Sequence, residues 1–96
     1  MSKRSIKRKL AKTSSRLTAL RAELVAVEEQ MRYLADDAED SAIRALVADN
    51  TAATREARKA REHAEAYRRQ HARVVAEIDA LVLRQDGLLD ELVAVD

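Results

Sequence analysis

Apolar residues recur along this chain in alternating steps of four and three. In the first part they fall at Ile6, Leu10, Leu17, Leu20, Leu24, Val27, Met31 and Leu34, with Thr13 as one polar interruption. That alternation keeps one stripe of an α-helix turned toward a partner helix, as in the a/d seam of a coiled coil. A second run follows the same rule through Ile43, Leu46, Asn50, Ala53, Ala57, Ala60, Ala64, Tyr67, His71, Val74, Ile78, Leu81, Gln85, Leu88, Leu92 and Val95. The two runs are out of phase. Continued past Leu34, the first would place Ser41 and Ala45 on the seam and leave Ile43 and Leu46 off it.

The phase break falls beside Asp36, Asp37, Glu39 and Asp40. Asp40 or Ser41 has the side-chain oxygen that an N-cap requires, and negative charge suits the positive end of a helix. The pattern therefore predicts helix 1 over about 4–35, a turn over about 36–40 and helix 2 over about 41–95, within a single domain 1–96. A short connection favours antiparallel neighbours. The expected fold is all-α: an antiparallel coiled-coil helical hairpin with a longer second helix, forming a dimeric bundle. Two other breaks are weighed, at Asn50-Thr51, both N-cap residue types, and at Gly87, since a mid-helix glycine costs on the order of 1 kcal/mol.

In that arrangement residues 74–96 overhang helix 1, and they carry the widest apolar stripe, extended from a/d to a/d/e by Val75, Val82 and Leu89. A stripe of three in seven faces a bundle core rather than one partner. Left bare it would be a large apolar patch. The expected oligomer interface is Val74, Val75, Ile78, Leu81, Val82, Leu88, Leu89, Leu92 and Val95, and the expected partner is a second copy of the chain.

Composition narrows the classes of function. The 96 residues contain no Pro, one Gly, no Cys and two aromatics, Tyr33 and Tyr67. Cysteine chemistry and disulfides are excluded, and few large side chains remain to wall off a dry pocket. No apolar run reaches the ~18 residues of a membrane span, and the N-terminus has no apolar signal core. A cytoplasmic location is the expectation. Arg outnumbers Lys thirteen to five, a usage that fits a GC-rich bacterial genome.

Charge is blocked rather than mixed. Residues 1–21 carry +8, residues 22–50 carry −6, residues 51–73 carry +4 and residues 74–96 carry −5, although the whole chain is only +1. The basic segment Lys3, Arg4, Lys7, Arg8, Lys9, Lys12 and Arg16 is the candidate surface for polyanions: an acidic protein, nucleic acid or the ribosome. No aromatic stands there to stack on bases and no nucleic-acid-binding motif is present, so contacts would reach phosphates rather than base edges. A basic amphipathic helix can also lie on anionic lipid, but this apolar face is narrow and committed to helix pairing.

The remaining polar residues point to structure rather than chemistry. His63 and His71 are eight apart, whereas metal-binding histidines on one helix sit three or four apart. His71, Asn50 and Gln85 fall on seam positions, where polar residues set register at some cost in stability. On that reading Asn50→Leu should stabilise the fold. Asp36, Asp37, Glu39 and Asp40 lack the spacing and central Gly of a calcium loop. Ser14 and Ser15 have no partnered base. No catalytic residue, metal site, cofactor or small-molecule substrate is expected.

Overall fold

A computed structural model describes residues 1–95; Asp96, the last residue of the expected domain, lies outside the described residues. The described residues form two α-helices and no strand, α1 (Lys3–Ala48) and α2 (Thr51–Val95). The helices pack against each other in two compact units. Unit 1 is Met1–Leu24 with Arg73–Asp96, and unit 2 is Val25–Ala72.

The turn is at Asp49-Asn50, not at 36–40, and its chemistry is local. Asp49 takes a left-handed backbone conformation, φ 48°, and its N–H donates to the carbonyl of Ala45 at 3.0 Å. This is the helix-ending motif usually built on glycine, with aspartate among the few other residues that tolerate it. Asn50 then caps α2: its Oδ1 accepts from the Ala53 N–H at 2.8 Å. Its carbonyl accepts from the Thr54 N–H at 3.1 Å and from the Thr54 hydroxyl at 3.0 Å. Asn50 is thus exposed at a helix start rather than on a seam, and the register role expected of it does not hold. At the other end, Ser2 caps α1 through its Oγ, which accepts from the Ser5 N–H at 3.1 Å.

Asp36, Asp37, Glu39 and Asp40 lie inside α1. Aspartate costs a helix only a few tenths of a kcal/mol per residue, too little to end one without a Gly, a Pro or a left-handed residue. The first seam therefore keeps its phase through Ala38, Ser41 and Ala45, with Ser41 buried and the two alanines half-buried. Ile43 and Leu46 fall off it and are exposed. The second seam holds from Ala53 onward, with Ala60, Ala64, Val74 and Leu88 buried.

With the turn at Asp49-Asn50 the helices are nearly equal, 46 and 45 residues, so the longer second helix and its overhang are not found. Within unit 1 the apolar stripe of α2 shares a core with Ile6, Thr13, Leu17 and Leu20 of α1, all buried. Thr13, the polar member of that seam, is satisfied locally, its hydroxyl donating to the Lys9 carbonyl at 2.9 Å. Gly87 does not interrupt α2; as in any α-helix, the missing side chain costs some stability without breaking the ladder.

Candidate functional site

The residues expected at an oligomer interface divide into three groups, all within unit 1. Val74 and Leu88 are buried against the chain itself. Val75, Ile78, Leu81, Val82 and Leu92 are half-buried. Only Leu89 and Val95 are exposed. Two residues that the seam did not select extend this exposed set, Leu83 at 74% and Val93 at 77% of their full accessible area. Leucine and valine off an a/d/e stripe were the available signal for them.

The basic residues lie along the first turns of α1. Lys3, Arg4, Lys7, Arg8, Lys12 and Arg16 are exposed and Lys9 is half-buried. The segment shares unit 1 with the acidic end of α2, so some of its charge is met within the chain. Arg16 makes a forked pair with Glu77, its Nε donating to Oε2 at 2.8 Å and its Nη2 to Oε1 at 3.2 Å. That hydrogen bond, reinforced by the Glu77 charge, raises the Arg16 pKa. A base raised on folding stabilises the fold at all pH below its unfolded value and loses that contribution only as pH climbs through the folded one. For a guanidinium this window lies above any ordinary working pH. Both partners are exposed, and pairs of this kind contribute little to stability.

Unit 2 holds the second charge pairing. His71 Nε2 lies 3.2 Å from Glu28 Oε2, so His71 sits on the seam as expected and contacts a carboxylate across the two helices. Arg58, Lys59 and Arg61 are in unit 2 near the turn, not at the end that carries Lys3 and Arg4. The exposed Leu46 of α1 lines one groove with Arg58 and Arg61, and Ile43 and Val47, also exposed, lie further round α1.

Among the described residues no group of three or more His, Cys, Asp or Glu is placed to hold a metal ion, and no helix is long and apolar enough to cross a membrane. The acidic tetrad at 36–40 is strung along α1 and forms no such group. No family, curated protein or solved structure matches the chain.

Proposed function

We propose that this protein is a non-enzymatic interaction or scaffold module, an antiparallel coiled-coil hairpin that associates with a second copy of itself through the C-terminal part of α2. The supporting observation is that Leu83, Leu89, Val93 and Val95 stay exposed after α2 has packed on α1. Leu89 and Val93 are one turn apart on one side of α2, and Leu83 lies about 80° further round. These three border an exposed apolar strip of the kind that marks an interaction site, while Val95 projects from the other side of the helix. The interface is narrower than the sequence suggests, because Val74 and Leu88 are already covered. Light scattering coupled to chromatography tests the reading. A dimer of the parent chain that Leu83→Glu and Val93→Glu together convert to a monomer of unchanged helicity supports it. A monomer at every concentration sinks it.

A second reading rests on the six exposed basic residues among the seven at the start of α1. They make a surface for polyanions such as nucleic acid, the ribosome or an acidic protein, bound through phosphate or carboxylate contacts. Retention on a heparin column that falls steeply with salt, and that Lys7→Glu with Arg8→Glu removes, is the expected result. Flow-through at low salt would exclude it.

A further inference from the structure

Near the turn the seams of both helices are built from alanine, with Ala45 on α1 and Ala57 on α2. Alanine fills less of the space between helices than leucine would, and an open groove runs between α1 and α2 at this level. Its two walls differ in chemistry. The α1 wall is Leu46, 82% exposed, and the apolar surface continues round the helix to Ile43 at 54% and Val47 at 82%. The α2 wall is Arg58 and Arg61. Neither arginine makes an ion pair with a described residue, whereas Arg68, one heptad beyond Arg61, pairs with Glu65 at 2.6 Å. Asp49 is the one carboxylate among the residues that line the groove.

Exposed Leu46 beside an alanine floor, with Ile43 and Val47 further round α1, offers burial to a third helix, which would present anchors at helical spacing. Two unpaired guanidinium groups along one wall favour carboxylates there, since they bind them with forked, charge-assisted bonds. We propose that this groove docks one amphipathic helix of a partner protein, whose apolar stripe is bordered on one side by aspartate or glutamate. The stripe covers Leu46 and the alanine floor, and the acidic border reaches Arg58 and Arg61. A second copy of the same groove is a poorer occupant. Twofold pairing would bring four arginines together with only two carboxylates, the Asp49 of each copy, and that excess of like charge disfavours it. The groove lies in unit 2 and the self-association face in unit 1, so either can fail while the other stands.

Two fluorescently labelled helical peptides test the proposal. They share one leucine stripe and differ only in its border, glutamate in one and lysine in the other. In titrations with the full chain, read by fluorescence anisotropy, the glutamate peptide should bind at least about tenfold tighter, the ratio that ~1.4 kcal/mol produces. Leu46→Glu should weaken that binding by a similar factor, and Arg58→Glu with Arg61→Glu should reverse the preference. Leu46 is exposed, so its variant should keep the parent helicity and Tm, which circular dichroism checks. Binding of neither peptide, equal affinity for both, or binding untouched by Leu46→Glu overturns the proposal. So does a dimer of the chain that Leu46→Glu disperses, which would make a second copy the occupant. Retention on phosphatidylserine vesicles that the same substitution abolishes, with no preference between the peptides, would assign the patch to lipid and overturn it as well.

Discussion

Asp49 and Asn50 do the work of reversing the chain, each by a different bond. Asn50 supplies a side-chain acceptor to an amide that has no partner inside α2. Removing such a cap costs about 1 kcal/mol, so Asn50→Ala should lower stability by that amount in a denaturant melt. Asn50→Leu should also destabilise, the reverse of what a buried seam position implies. Asp49 is strained in the opposite sense. An L-residue with φ 48° crowds its Cβ against its own backbone, and glycine does not. Asp49→Gly should therefore raise stability by a few tenths to about 1 kcal/mol, the relief of that crowding less the entropy glycine loses on folding. If both substitutions leave the melt unchanged, the turn is not where these bonds place it.

At the scale of the helix, local signals and the seam compete, and the seam decides. The alternation from Ala53 to Leu92 is readable directly from residue type and is the alternation found. From 36 to 48 it is not, because two phases are available there. Hydrophobicity favours the one that takes in Ile43 and Leu46, while the fold uses the one that takes in Ala38, Ser41 and Ala45. Ser41 is small enough to be buried in the seam, and its Oγ accepts from Arg44 Nη2 at 3.0 Å. Asp36, Glu39 and Asp40 are exposed on the helix as they would be at a turn, so they could not discriminate. What discriminates is the partner: the later turn lets α1 cover the C-terminal stripe of α2, a gain of apolar burial that no local window contains. The same continuity of seam explains why Gly87 is carried within α2. A Cβ built there meets nothing within 4 Å, so Gly87→Ala should stabilise by roughly 0.5–1 kcal/mol. A lower Tm for this variant would show that the glycine serves something other than the helix, such as close approach of a second chain.

For the whole molecule, the charge blocks and the phase break at the turn act on different alternatives. In unit 1 the α1 segment has eight basic residues and one acid, and the α2 segment has two basic residues and six acids. In unit 2 the sense is inverted: residues 25–50 have two basic and seven acidic residues, and residues 51–72 have six basic and three acidic. Opposite charge thus meets opposite charge in each unit, and parallel pairing of the two helices would set like against like. Charge alone does not forbid a swapped dimer, in which each chain runs straight through the turn and α1 packs on the partner's α2. The seam does. Continued as one helix, the α1 alternation of Ser41, Ala45 and Ala48 would next select Ala52 and Arg55, whereas α2 uses Ala53 and Ala57. Replacing Asp49-Asn50 by two alanines leaves this mismatch in place, so that variant should lose stability yet keep its intrachain fold. Replacing the pair by four alanines moves Ala53 and Ala57 onto the α1 alternation and removes both the left-handed residue and the cap. That variant should open into a swapped dimer. A donor and an acceptor placed near Arg16 and Glu77, with each labelled chain diluted in excess unlabelled protein, distinguish the outcomes. The parent and the two-alanine variant keep strong intrachain energy transfer. The four-alanine variant loses it, because the parent's separation of 61 residues grows by the two inserted alanines and, as one continuous helix at 1.5 Å per residue, holds the labels about 95 Å apart. Retained transfer in the four-alanine variant would mean that seam phase does not guard the turn.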